Sequence, residues 1–294
     1  MNVETRYTWG GDEYLAVQLA EAMSLEANFT ATALSSAIEA RALPGVTDVC
    51  SANASLLIRF DPDLCSPADL EKEVREIEDA VEHSASRTLD TRIVELPVWY
   101  DDPYTNEVAM RFRDRHQRPD GNDLEYAAEA NGLPDVRAFI DAHQSSPWLT
   151  SMVGFVAGLP FLFQMVPQER QLEVPKYVRP RTDTPKGTIG HGGCFGCVYS
   201  VRGAGGYQMF GITPALIFEP TQEHPDFEDF MVFFRPGDIV KFRSVSEDEF
   251  RDIEAQVEAG TYRLPQHPVR FDLDEYLADS DAYNSRLLEV LRGA

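Results

Sequence analysis

Alternation of apolar and polar positions over Glu4 to Trp9 and Glu13 to Leu19, around the turn Gly10-Gly11-Asp12, predicts a strand pair at the start of the chain. A helix is expected over Thr30 to Arg41, then a second strand pair over Gly45 to Asp61 that turns near Ala52-Asn53-Ala54. Ser66, Pro67 and Asp69 make an N-cap, a first-position proline and a capping-box pattern. Behind them Leu70, Val74, Ile77 and Val81 fall at i, i+4, i+7 and i+11, one buried stripe of a helix. The order β-β-α-β-β-α predicts a four-stranded sheet with two helices on one face, a small α+β domain over residues 1–90.

A polar segment, His83 to Thr91, separates this unit from a strand beginning at Arg92-Ile93-Val94-Glu95-Leu96-Pro97-Val98-Trp99-Tyr100. Helical patterns cover Asn106 to His116, Asp123 to Ala130 and Asp135 to His143, broken by Pro119, Gly121 and Gly132-Leu133-Pro134. Beyond Pro147 the texture changes. Leu149 to Val245 is rich in Gly, Pro, aromatic and β-branched residues with frequent turn signals, the pattern of a compact antiparallel barrel. Ser246 and Glu249 form a second capping box before a helix with Phe250, Ile253 and Val257 inward, and a helix-like stretch over Asp272 to Arg292 ends the chain. The second domain, 91–294, is thus a helical segment, a mainly β barrel and a C-terminal extension.

At 294 residues and 43% hydrophobic, the chain has apolar surface enough for a core in each domain. A net charge of −23 with no basic stripe argues against a nucleic-acid partner, whose phosphates would be repelled. With no long apolar run and no signal-peptide pattern at Met1 to Arg6, neither export nor a membrane span is expected, and the cytoplasm is the default. Cys50, Cys65, Cys194 and Cys197 are too few and too scattered for a disulfide framework.

Candidate chemistry concentrates between Lys186 and Pro214. Glycines recur there between short β-prone runs with aromatics, a pattern that lets backbone N–H groups approach a ligand while strands hold them rigid. His191, among Gly190, Gly192 and Gly193, has room to project into a cleft and handle a proton on an amide nitrogen; a loop histidine bonded to backbone is the plainer account. Tyr207 and Gln208 are expected on opposite faces of a strand. Gln208 offers both a donor and an acceptor to an amide or ureido group, unless it is only a satisfied interior glutamine. Basic residues recur just upstream (Lys176, Arg179, Arg181, Lys186), suited to a carboxylate or phosphate or else ordinary surface charge. Cys194 and Cys197 have C-x-x-C spacing, but no partner ligands are spaced for zinc and the context is not a thioredoxin-like helix start. A P-loop, a biotin-attachment segment and a G-x-S-x-G elbow are all missing from the sequence.

Several motifs together resemble the allophanate hydrolase subunit 1 family, also called carboxyltransferase subdomain C and D, over nearly the whole chain. They are Leu96-Pro97-Val98-Trp99-Tyr100-Asp101-Asp102-Pro103, Asp123-Leu124-Glu125 with Asn131-Gly132-Leu133, Met152 to Pro160, the glycine segment and Arg235-Pro236-Gly237-Asp238. Gly192-Gly193-Cys194-Phe195-Gly196-Cys197-Val198-Tyr199 and Gly205-Gly206-Tyr207-Gln208 look like the carboxyltransferase part of urea carboxylase. Gly154-Phe155-Val156-Ala157-Gly158-Leu159-Pro160 is more similar to stand-alone 5-oxoprolinase subunits, a branch that also includes an inhibitor of a histidine kinase.

The resemblance implies a cyclophilin-like barrel and a partner of the allophanate hydrolase subunit 2 kind, with the active cleft between them. It implies a subunit inactive alone, acting on a small amide or urea-like substrate. No cofactor is expected to be covalently bound by this chain; ATP and biotin would come through other subunits, including a biotin carboxylase or carrier. In this frame His191, Gln208 and Lys186 are the catalytic candidates, and Lys176, Arg181, Gly192, Gly193, Tyr199, Tyr207 and Thr213 the substrate-binding ones. A 5-oxoprolinase subunit and a regulatory module that binds a histidine kinase are the alternatives, and no metal site is expected.

Overall fold

Strands β1 (Arg6–Gly10) and β2 (Tyr14–Gln18) pair antiparallel, helix α1 (Leu25–Arg41) follows, and β3 (Val46–Ala52), β4 (Ser55–Phe60) and α2 (Pro67–Glu82) complete a β-β-α-β-β-α order. The sheet runs β1-β2-β4-β3. The computed structural model describes residues 5–82 and 87–293. Asn53, at φ 54°, closes the two-residue turn between β3 and β4, a left-handed conformation that asparagine tolerates. Leu15, Val17, Leu56, Ile58 and Phe60 supply the inner face of the sheet; Leu34 and Ile38 of α1 and Leu70, Val74 and Ile77 of α2 cover it. Ser66 caps α2 as its sequence predicts, its Oγ accepting from the Asp69 N–H at 3.2 Å. Helix α1 begins five residues earlier than Thr30, where Ser24 accepts from the Ala27 N–H at 3.1 Å.

Residues 5–82 and 87–89 form one compact unit together with Phe271–Ala278. Leu273, fully buried, donates its N–H to the Arg87 carbonyl at 3.0 Å, and Arg87 pairs with Asp274 at 2.8 Å. Of the separator expected over His83 to Thr91, residues 83–86 lie outside the described residues.

The second unit spans Asp90–Arg270 and Asp279–Ala294. After β5 (Thr88–Tyr100) come α3 (Pro103–Arg111), α4 (Asp123–Ala130), α5 (Val136–Ser145), β6 (Trp148–Val153), β7 (Pro160–Gln164), β8 (Arg181–Thr184), β9 (Thr188–Gly192), β10 (Phe195–Val198), β11 (Gly203–Gly205) and β12 (Gln208–Ile212). The chain ends with β13 (Ile239–Ser244), α6 (Glu247–Glu258), β14 (Gln266–Asp272), α7 (Leu273–Ala278) and α8 (Ser280–Glu289). Eight strands join in the order β12-β9-β10-β7-β6-β13-β5-β14, with an additional pairing of β12 to β5. The fold is thus mixed α/β.

Two expectations change here. Strand β13 runs parallel to β5, from Ile239 opposite Ile93 to Ser244 opposite Val98, so the sheet is not purely antiparallel; the long excursion through 101–238 supplies the crossover that a parallel pair needs. The single helical stretch expected over Asp272 to Arg292 is two helices, because Asp279 stops α7 and caps α8, accepting from the Ala282 N–H at 3.0 Å. The core gathers Trp148, Phe139, Phe210 and Phe242 with Val94, Leu96 and Val98 of β5. Among the described residues no helix is long and apolar enough to cross a membrane.

Candidate functional site

In the β9–β10–β12 part of the sheet His191 stands opposite both Gly196 and Gln208, so the segment rich in candidate residues is central strand rather than loop. Pleating sends alternate side chains to two faces. On one face Cys197, Tyr199 and Tyr207 cluster with Leu159, and Val156, Phe161 and Phe195 pack against them. The glycines make room for these rings. A Cβ at Gly190 would lie 2.9 Å from Tyr199 Cε2 and 3.1 Å from Cys197 Sγ. One at Gly192 would lie 2.6 Å from Tyr207 Cε1, and one at Gly205 2.7 Å from Tyr199 Cε1. These three positions are therefore glycine because aromatic side chains occupy the volume, which corrects the expectation of loops shaped for a ligand. Gly187 (φ 82°) and Gly193 (φ 64°) are true turn glycines, and Gly193 faces open space. Exposed Lys176 places its Nζ 5.1 Å from the Tyr207 ring centre.

The opposite face is a buried polar interior. His191 is fully buried; its Nε2 donates to the carbonyls of Leu172 (3.0 Å) and Gly193 (3.1 Å), and its ring packs against Trp148 and Phe210. It faces the core, not a cleft. Burial pushes its pKa down to about 4, so the ring is neutral at neutral pH. Gln208 has both ends of its amide engaged: Oε1 accepts from His116 Nε2 at 2.8 Å and Nε2 donates to the Pro175 carbonyl at 2.7 Å. His116 Nδ1 accepts from the Arg118 N–H at 2.8 Å, which assigns its proton to Nε2.

Beside Gln208 the carboxylate of Asp123, at the start of α4, accepts from Arg113 (2.8 Å), from the Tyr177 hydroxyl (2.8 Å) and from the Met209 N–H (2.8 Å). Burial, and then Asp123, raises the Tyr177 pKa so that the phenol stays protonated. Arg181 departs from the exposed basic patch expected of it. It is fully buried, donates to the Tyr207 carbonyl at 2.7 Å and stacks 4.4 Å from the centre of Tyr177. Thr213 is buried, its Oγ1 accepting from the Ala215 N–H at 3.2 Å, while Lys186 is exposed. Arg113, His116, Asp123 and Tyr177 did not stand out in the sequence as partners, because they lie 31 to 96 positions from Gln208 or Met209 and no local spacing connects them.

A third feature lies at the surface. The loop between β6 and β7, within the Met152 to Pro160 motif, lines a groove of about 530 Å³ together with Phe230, Val232, Phe234 and Arg235. Ser200, one residue beyond Tyr199, fixes this loop by donating to the Ala157 carbonyl at 2.5 Å. Val156 belongs both to the groove lining and to the packing around Tyr199 and Tyr207. The four cysteines are free thiols, and no group of three metal-binding side chains occurs among the described residues.

Known proteins resemble this chain along most of its length. It is 29% identical over 250 residues to a 5-oxoprolinase subunit of Bacillus subtilis, covering 82% of this chain and 92% of that protein. It is 26% identical over 280 residues to urea amidolyase of Saccharomyces cerevisiae, covering 92% of this chain but only 15% of that much longer protein. The crystal structure of the K. lactis urea amidolyase superposes on 98% of this chain, and 18% of its own, with a TM-score of 0.83 at 24% identity, a likeness of fold. Residues 5–227 match the model of the carboxyltransferase domain, subdomain C and D, and the chain belongs to that family.

Proposed function

We propose that this chain forms one half of the active cleft of a multi-subunit enzyme acting on an amide or ureido nitrogen, the other half coming from a partner of the subunit 2 kind. The observation that carries this reading is that both named relatives, a 5-oxoprolinase subunit and a urea amidolyase, align along most of the chain. Urea and a 5-oxoproline lactam share a carbonyl bonded to N–H, a group that free backbone donors and acceptors recognise. We read the β12–β5 pairing as closing a cyclophilin-like barrel that holds these elements rigid. In the carboxyltransferase form, biotin on another chain supplies the carboxyl group. Exposed Lys176, held over Tyr207, and exposed Lys186 are the cations that would meet the negative carboxyl group. His191 and Gln208 serve this site from beneath: they lock the strands that carry Gly192, Gly193 and Tyr207 through the bonds to Leu172, Gly193 and Pro175.

A second reading, an ATP-dependent 5-oxoprolinase subunit, is favoured by one fact: the match to the Bacillus subtilis 5-oxoprolinase subunit spans 92% of a chain of similar extent. One experiment separates the two. The tagged chain is purified from its native cells, co-purifying proteins are identified by mass spectrometry, and the complex is assayed for biotin and for ATP-dependent lactam opening. A subunit 2 protein with a biotinylated carboxylase supports carboxyl transfer; subunit 2 with lactam opening and no biotin supports 5-oxoprolinase. Recovery of a histidine kinase without subunit 2 overturns both.

A further inference from the structure

The surface groove beside the β6–β7 loop is lined by none of the residues assigned to the proposed cleft, and it combines three observations. Phe155 holds a left-handed backbone at φ 71° with 71% of its surface exposed. For a bulky residue that conformation is unfavourable, and the ring it carries is apolar and in water, so two unfavourable features coincide at one position. Across the groove Phe230 is 52% exposed, so aromatic surface faces water from both sides. Gly154 and Gly158 flank the strained residue. Gly158 is itself left-handed at φ 73°, and a Cβ there would lie 2.9 Å from Phe218 Cβ, which fixes the loop against the body of the unit.

The third observation is electrostatic. Arg235 is the one ionisable residue in the groove lining. Its backbone N–H donates to Asp238 at 2.9 Å, but Asp238 spends its carboxylate on Arg92, at 2.8 Å, and the exposed Arg235 guanidinium has no carboxylate partner among the described residues. In a chain of net charge −23, with most of its arginines in ion pairs, a guanidinium left open at the rim of an apolar groove selects one kind of guest. The volume of about 530 Å³ falls within the range of small-ligand sites, which are typically apolar with one or two placed polar groups.

We infer that this groove binds a small carboxylic acid with an apolar body, the body between Phe155 and Phe230 and the carboxylate on Arg235. Every lining residue of the site belongs to this chain, and the assignment does not rest on the proposed reaction. It is tested on the purified full-length chain by isothermal titration with 4-phenylbutyrate and with its neutral counterpart 4-phenylbutanol. The expected result is saturable one-to-one binding with the acid favoured by about fivefold. Arg235→Gln removes that preference while leaving the alcohol unaffected. Phe155→Asn, which suits the left-handed backbone, weakens both probes about fivefold, with circular dichroism confirming that the variants remain folded. Equal affinity for acid and alcohol would make the groove a general apolar docking face and overturn the assignment. So would an acid preference that survives Arg235→Gln, or the absence of saturable binding.

Discussion

An imidazole sealed in a core is tolerated only while it is uncharged, and His191 is such a residue: fully buried, both carbonyl partners on Nε2, its pKa pushed down to about 4. Its unfolded value is ordinary, about 6.5, so between those values the unfolded chain takes up the proton that the native chain refuses. Stability is therefore full above pH 6.5 and falls as pH drops toward 4, by about 1.4 kcal/mol per pH unit for each histidine of this kind. His143, buried and hydrogen-bonded to Tyr100 at 2.8 Å, has its pKa lowered for the same reason and adds to the slope. Urea midpoints measured from pH 7 to 5 should decline, and His191→Gln, which retains a donor, should remove about one proton from the linkage. An unchanged slope in that variant would show that His191 is not the group being titrated. At this scale the sequence revealed where the unusual residues lie but not which way they face. Period-two alternation correctly separates Tyr207 from Gln208, yet it is silent on which face is interior, because that depends on strands distant in the chain.

Elements were most legible where a side chain closes its own helix. Ser66 and Ser246 each accept from an N–H three residues on, as their local patterns announce, and Asp135 does the same at the start of α5. Helix α1 shows how the signal fails: Asn28 and Ser35 lie on its buried side among Leu25, Ala31, Leu34 and Ile38, blurring the apolar stripe, so its first turn escapes notice. Helix α3 stops at Arg111, and a 3-10 turn at Arg113–Arg115 takes the chain toward the buried network. Asp123 then joins three elements, binding the turn through Arg113, β12 through the Met209 N–H and the strand-free segment through Tyr177. Asp123→Asn leaves Arg113 buried without a counter-charge and should cost about 3 kcal/mol. Chemical denaturation checks this, and combining it with Arg113→Met should recover part of the loss. A single variant as stable as the parent would rule out Asp123 as the joint between these elements.

For the whole molecule, the family was readable in the sequence motifs, and the match over residues 5–227 agrees with it. What no local pattern conveys is that Phe271–Ala278 belongs with the first ninety residues, since the attachment rests on three residues, Phe271, Leu273 and Tyr276, buried at the end of a long detour. Leu273→Ala should destabilise the first unit by about 2–5 kcal/mol, read as a lower denaturation midpoint. No change would mean that the segment is dispensable there. That arrangement also orders events in time. As the chain leaves the ribosome, the unit that begins first stays incomplete through most of synthesis, because its final piece follows some 180 residues of other structure. Until Leu273 arrives, the nascent first unit waits with an apolar surface uncovered, the interval in which a chaperone has most to protect.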